Sequence, residues 1–248
     1  MKRLYGLIGF PLGHSFSARY FADKFQQEHL PECEYRNFPL ESILELPAML
    51  ENHPELCGFN VTIPYKQEVI PYLTDLGGEA REIGAVNCVK ITPKGLFGYN
   101  TDAYGFQKSL LELIGNKRPD ALILGTGGAS KAVAYVLKKL GIPFSFVSRQ
   151  SGDNRLTYSE STPEVMETHK LIINATPLGT FPKVTGCPAI PYETLTPAHF
   201  LFDLVYNPAL TEFLRRGQEQ GAAIRNGYDM LIGQAEKAWE IWNTTSHE

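Results

Sequence analysis

The chain has 248 residues, 43% hydrophobic and 20% charged, the composition of an ordinary soluble chain able to bury the core of one large or two small domains. Lys and Arg number 23 against 27 Asp and Glu, a net charge of -4, which leaves no whole-chain electrostatic footprint for nucleic acid or an anionic membrane surface. Met1 to Gly9 lacks a sustained apolar region and no apolar run approaches the roughly 18 residues that span a bilayer, so the sequence reads as cytoplasmic with no membrane partner.

Leu4 to Phe10 reads as a strand, and after it Ala18, Phe21, Ala22 and Phe25 fall on one helical face with Ser17 placed to cap. Between them, Gly13-His14-Ser15-Phe16-Ser17 sets two hydroxyls and an imidazole where a strand hands over to a helix, a place that can hold a carboxylate. Spacing alone favours the plainer account, a capping Ser17 and a solvated His14. Phe59 to Thr62 is a strand ending at Pro64, which puts Asn60 and Thr62 on one face and Lys66 at the start of a following helix. A lysine at that end opposes the helix dipole, so stability does not explain it. Ala85 to Ile91 and Leu96 to Tyr99 read as a hairpin around Thr92-Pro93-Lys94-Gly95. Asn100-Thr101-Asp102 closes it, with Asp102 where an N-cap would stand, and a helix follows with Ala103, Phe106, Leu110 and Leu113 on one face and Gly115 beyond it.

The second half has a plainer rhythm. Ala121 to Leu124 is an apolar strand, Gly125-Thr126-Gly127-Gly128-Ala129-Ser130 a glycine turn, and Ala132, Val133, Val136, Leu137 and Leu140 a helix stopped by Gly141. Phe144 to Val147, Leu171 to Asn174 and Phe200 to Val205 are further apolar runs of strand length. Continuous apolar strands alternating with helices imply a parallel sheet covered on both faces. A helix carrying Leu210, Phe213 and Leu214, a short strand near Ala222 to Ile224, and a final helix with Leu231, Ala235, Ala238 and Trp242 in register complete the plan. Cys33, Cys57, Cys88 and Cys187 lie far apart and the six histidines do not cluster at ligand spacing, so neither a metal site nor a disulfide framework is expected.

A glycine turn between a strand and a helix lets a pyrophosphate approach backbone N–H groups at the helix N-terminus, and here Ser130 stands where the third glycine usually does. Taken alone it is also compatible with a tight structural turn. The next strand ends Val147-Ser148-Arg149-Gln150, with no acidic residue for a ribose 2'-hydroxyl. Arg149 suits a 2'-phosphate, so NADP is favoured over NAD, with Arg155 or Lys131 as second contributors.

Several motifs then occur in one order: Gly13-His14-Ser15-x-Ser17, Asn60-Val61-Thr62-x-Pro64-x-Lys66, Gly84-Ala85-Val86-Asn87, Asn100-Thr101-Asp102, the glycine turn, Asn174-Ala175-Thr176-Pro177-x-Gly179, Asp203-Leu204-Val205-Tyr206-Asn207-Pro208 and Gly227-Tyr228-Asp229-Met230-Leu231-x-x-Gln234. Together they resemble the shikimate dehydrogenase family over almost the whole chain. The resemblance implies an α/β protein of two domains separated by a cleft, a substrate-binding and catalytic domain from 1–102 and 227–248 and a Rossmann-like NADP-binding domain from 103–226. It implies reversible reduction of 3-dehydroshikimate to shikimate by NADPH, in chorismate and aromatic amino-acid biosynthesis. Lys66 and Asp102 match the catalytic pair, Ser15 and Ser17 the carboxylate-binding serines, and Thr62, Asn87, Asp102 and Gln234 the positions that hold ring hydroxyls, with Tyr206 near the substrate. Gly125, Gly127, Gly128, Ala129, Ser130, Ser148, Arg149, Thr176 and Gly227 are the matching cofactor-binding positions, Gly227 where the backbone approaches the nicotinamide and where a hinge would suit.

This chain has Ser148-Arg149-Gln150 where members often carry Asn-Arg-Thr, and its segment from Gln150 to His169 is short, implying a compact second crossover. The alternatives are a quinate/shikimate dehydrogenase with relaxed NAD/NADP use, against which Arg149 argues, and a catalytically silent paralogue that binds NADP or shikimate, against which the retention of Lys66 and Asp102 argues. A folate-type dehydrogenase would not explain Ser15 and Ser17 together. The implied partners are small molecules, with the chain a monomer or homodimer.

Overall fold

Strands form where the sequence runs apolar without a break, and the run of residues 121–124 has no measurable exposure at any of its four positions. The computed structural model describes residues 2–13, 16–150, 152 and 155–244. In chain order the elements are β1 (Arg3–Gly9), α1 (Phe16–Gln27), β2 (Cys33–Pro39), α2 (Leu46–Asn52), β3 (Leu56–Val61), β4 (Asp75–Leu76), α3 (Gly78–Ile83), β5 (Cys88–Thr92), β6 (Gly95–Tyr99) and α4 (Asp102–Ile114). They continue with β7 (Ala121–Leu124), α5 (Gly128–Lys139), β8 (Phe144–Ser148), β9 (Arg155–Thr157), α6 (Pro163–Thr168), β10 (Leu171–Asn174), β11 (Phe200–Asp203), α7 (Glu212–Glu219), β12 (Ala223–Arg225) and α8 (Tyr228–Asn243). The chain divides into two units, 1–101 with 235–248, and 102–234.

The first unit holds a mixed sheet in the order β2-β1-β3-β5-β6-β4. β1 pairs parallel with β2 and β3, whereas β3–β5 and the expected β5–β6 hairpin are antiparallel. One face is packed by Leu4, Ile8, Phe59, Val61 and Val89. The other carries an aromatic cluster in which Tyr5 and Phe21 meet Trp242 near the end of α8 and Phe25 meets Trp239. Gly58 permits this: a methyl group there would lie 2.4 Å from the Trp242 indole, whose Nε1 donates to the Val89 carbonyl at 3.0 Å.

The second unit is a parallel sheet in the order β12-β11-β10-β7-β8-β9. Numbered from β7, this is the 3-2-1-4-5-6 order of a doubly wound dinucleotide fold, and the strand order reverses between β7 and β10. The expected α/β class and Rossmann-like sheet are therefore present. Within this unit α4 lies against the first turns of α8 with almost no side chain between them, because a Cβ on Gly105 would meet the Met230 carbonyl at 2.3 Å. Phe106 from α4 turns its ring edge to Phe202 of β11 at 5.0 Å.

Two local expectations are corrected. Lys66 does not begin a helix: residues 63–69 form successive turns, followed by a 3-10 turn at Ile70–Tyr72. Pro71 lacks the N–H that a helix running on from Lys66 would need, and the few residues before it are too short a segment to propagate. Ser17 is not the cap of α1, since the helix already begins at Phe16.

Candidate active site

β7 delivers the chain into the glycine turn at the point where the strand order reverses, and the 12 residues of α5 begin at Gly128 with Gly127 as N-cap. At Gly125 the backbone has φ +101°, and a Cβ there would lie 2.9 Å from the Thr176 methyl and 3.3 Å from the Ala175 carbonyl oxygen. Glycine is thus required where the turn meets the segment after β10. Gly127 and Gly128 differ, since a Cβ on either would meet nothing within 4 Å. Their backbone faces open space at the positive end of a helix.

On the Gly127 side lies a cavity of about 440 Å³ lined by Gly125, Thr126, Gly127, Ser148, Arg149, Tyr158, Ala175, Thr176, Pro177 and Leu178. All three contributing strands, β7, β8 and β10, present their C-terminal ends to it, as ligand sites of open α/β sheets do. Ser148 turns its hydroxyl onto Gln150, donating to the carbonyl at 2.6 Å and accepting from the N–H at 3.2 Å, which fixes the bend that presents Arg149 on the rim. Tyr158 stands close enough for the Arg149 charge to offset part of the upward push that burial exerts on its phenol. Tyr158 carried no signal in the sequence: it follows β9 in the short crossover and meets Arg149 only in the fold.

Of the other cofactor-side positions, Ser130 is buried and its hydroxyl donates to the Gly127 carbonyl at 2.6 Å, within the first turn of α5. Neither Ser130 nor Gly128, Ala129 or Gly227 is among the residues lining the cavity. At Gly227 a Cβ would lie 2.2 Å from the Leu204 carbonyl oxygen, so its glycine allows that close backbone approach.

The segment from Asn174 to Gly179 is held from beneath. Asn174 is fully buried; its Oδ1 accepts from the Thr176 N–H at 3.0 Å and hydroxyl at 2.6 Å, and its Nδ2 donates to Asp203 Oδ1 at 3.0 Å. Asp203, also fully buried, accepts as well from the Val205 N–H at 3.0 Å and from the Thr211 hydroxyl at 2.5 Å. Burial pushes its carboxyl up to about 6, against the pull of these donors.

In the first unit the substrate-side positions sit on a buried polar chain. Tyr35 donates to Asn60 Oδ1 at 2.8 Å, Asn60 donates to the Asn87 carbonyl at 3.1 Å, and the Asn87 side chain is locked onto Thr101, accepting from its N–H at 2.6 Å. The Ser17 hydroxyl bonds to Tyr35, whose phenol burial holds far above its ordinary value. Thr62 follows β3, its N–H on the Ile8 carbonyl at 2.9 Å and its methyl so close to Gly9 that a Cβ there would sit at 2.4 Å. Lys66 is half-buried, with its carbonyl accepting from Val86 at 2.7 Å. Ser15 lies outside the described residues.

In the second unit Asp102 opens α4, where a carboxylate favours the helix dipole. Gln234 is buried in α8 and donates to the Leu231 carbonyl at 3.0 Å, and Tyr206 is half-buried beyond β11. Among the described residues no three His, Cys, Asp or Glu side chains gather as a metal site, and no helix is long and apolar enough to cross a membrane.

Comparison with known proteins agrees with this geometry. A family model described as the shikimate dehydrogenase substrate binding domain matches residues 7–89. The chain is 39% identical to the shikimate dehydrogenase (NADP(+)) of Clostridium beijerinckii, over 96% of this chain and 91% of that protein. The shikimate 5-dehydrogenase of Thermus thermophilus, solved in complex with NADP(H) and shikimate, superposes with a TM-score of 0.84 at 30% identity, covering 97% of this chain and 93% of that one. The quinate dehydrogenase of Corynebacterium glutamicum in complex with NAD superposes with a TM-score of 0.87 at 28% identity, over 98% and 94% of the two chains.

Proposed function

The chain belongs to the shikimate dehydrogenase family, and from that premise we propose how its residues divide the work of an NADP-dependent oxidoreductase that interconverts 3-dehydroshikimate and shikimate. The observation that carries the reading is the open backbone of Gly127 at the start of α5, with Arg149 on the same cavity. A Cβ would fill the space that a pyrophosphate needs, and a guanidinium stands where a 2'-phosphate would be recognised, so the residues present fit NADP. The stretch 103–226 is accordingly assigned to the cofactor, and 1–102 with 227–248, which includes Asp102 and Gln234, to the substrate.

NADPH supplies the hydride when bound. Lys66 supplies the proton: as a carbonyl is reduced its oxygen gains negative charge, and an ammonium stabilises that charge and then transfers the proton to form the alcohol. Asp102 completes the catalytic pair by accepting from a substrate hydroxyl and orienting the ring. Ser15 and Ser17 take the carboxylate, while Thr62, Asn87 and Gln234 take the remaining hydroxyls, with Tyr206 nearby. The buried chain from Tyr35 through Asn60 to Asn87 and Thr101 keeps Asn87 in one orientation before substrate arrives, which lowers the ordering cost of binding. The reading takes the chain as a monomer or homodimer working on small molecules in the reducing cytoplasm, where its four free cysteines would stay reduced.

Absorbance at the nicotinamide band tests the reading with three mixtures: shikimate with NADP, quinate with NADP, and shikimate with NAD. Rapid reduction in the first alone is expected. Faster reduction with quinate or with NAD would replace it by the relaxed quinate/shikimate reading, and no reduction by folded protein that binds NADP would leave a silent binding protein.

A further inference from the structure

Asp203 lies beneath the cavity and lines no part of it, yet both ends of the segment that forms one cavity wall depend on its carboxylate. At the near end, Oδ1 takes the Asn174 amide N–H, which turns the Asn174 carbonyl oxygen toward the Thr176 N–H and hydroxyl; the Thr176 hydroxyl in turn accepts from Leu178 at 3.3 Å. At the far end, Oδ2 takes the Thr211 hydroxyl, and Thr211 both caps α7 and backs onto Gly179, where a Cβ would stand 3.5 Å from the Thr211 Cβ. Gly179 itself has φ +87°, a conformation that side chains disfavour. An apolar residue at 203 would pack at least as well in a fully buried strand, so a carboxylate here is costly unless its acceptor geometry is needed.

We propose that Asp203 is a positioning residue for the cofactor, acting through Asn174 and Thr211 to hold the wall from Ala175 to Leu178 in its binding shape before NADP arrives. This rests on the reading that the cavity is the NADP site. The anionic form is the one the wall requires, because three donors converge on the carboxylate and a neutral amide could not accept from all of them. Burial raises the group to about 6, so it is largely ionised at neutral pH.

The test is Asp203→Asn, read by fluorescence titration of NADPH, by the KM for shikimate at saturating NADP, and by the thermal midpoint. The NADPH Kd is expected to rise about tenfold, the equivalent of one charge-assisted hydrogen bond, with the shikimate KM changed by less than about twofold. Adding Thr176→Ala to Asp203→Asn should weaken NADPH little further, since both act through one chain of bonds. A lowered thermal midpoint with an unchanged Kd would overturn the proposal, as would fully additive losses in the double variant. Should Asp203→Asn not fold, Thr211→Val removes one donor and is expected to raise the Kd about threefold; an unchanged Kd there overturns the proposal too. Arg149→Ala separates the layers: loss of NADPH in that variant alone refutes the role of Asp203, and loss in neither refutes the cofactor site itself.

Discussion

Gly127→Ala separates folding from cofactor binding more sharply than any other substitution in the glycine turn. The backbone at 127 has φ -76° and ψ -177°, open to any residue, and a methyl group built there meets no protein atom within 4 Å. Loss of chain entropy from the unfolded state contributes about 0.4–1 kcal/mol of stability, and alanine is a poorer N-cap than glycine by a similar amount. The two offset, so the unfolding free energy should change by less than about 1 kcal/mol, or about 2–4 °C in Tm for a chain of this length. The same methyl occupies the space through which a pyrophosphate reaches the α5 N–H groups. Loss of even one hydrogen bond to a charged oxygen, about 1.5–3 kcal/mol, raises the NADPH Kd roughly tenfold to 150-fold. Urea melts and calorimetric titration of NADPH on the same preparation measure both. Gly125→Ala supplies the contrast, because its φ of +101° and the 2.9 Å approach to Thr176 predict loss of stability and binding together. Unimpaired NADPH binding by folded Gly127→Ala would refute the cradle.

Lys66→Ala should lower kcat by about 10²- to 10⁴-fold, the usual worth of a positioned acid, with the shikimate KM changed only a few-fold; an unchanged kcat in steady-state assays would remove Lys66 from the chemistry. Arg149→Ala should raise the KM for NADPH at least about tenfold while barely moving that for NADH, and equal shifts for the two would show that the arginine does not read the 2'-phosphate. His199 is fully buried and neutral by construction, its Nδ1 accepting from the Thr196 N–H and its Nε2 donating to the Met166 carbonyl, each at 3.0 Å. Burial holds it below its ordinary value, so the unfolded chain binds the proton first and stability drains away as pH falls below about 6.5. Asp203 has the opposite sign: raised to about 6, it adds stability as pH falls from there toward its unfolded value. The His199 contribution is therefore measured as the difference in urea midpoint between wild type and His199→Gln at pH 7.5 and 5.5. A difference that does not change between those two values contradicts the linkage.

The second half of the chain was legible because its signals are contiguous: an apolar strand, three glycines and an apolar helical stripe occur within twenty residues and admit few folds. β2 was not, since Glu34, Arg36 and Asn37 interrupt any alternation; as an edge strand it is buried only at Phe38 of its seven residues. α6, six residues long, is shorter than two turns and cannot display a helical period. At Lys66 the expected helix rested on its place after a strand and not on an apolar period, and Pro71 stops a helix there. The candidate site divides in the same way. The glycine turn and Arg149 follow from local chemistry, whereas Tyr158 beside Arg149 and Asp203 beneath Thr176 depend on which strands become neighbours, which is a property of topology and not of spacing.

The indole of Trp242 lying over Gly58 also orders events in time. The 102–234 unit is one continuous stretch and can fold as soon as it has been synthesised, but the first sheet lacks part of its aromatic core until 235–244 exist. Its earliest-made strands must therefore wait, with the face carrying Tyr5 and Phe21 uncovered, through the synthesis of 133 intervening residues. At about 5–20 residues per second that interval lasts roughly 7–27 seconds, during which this apolar face is available to chaperones or to other copies of the chain. Closure then joins segments more than 180 positions apart in sequence, the kind of distant contact that makes folding slow.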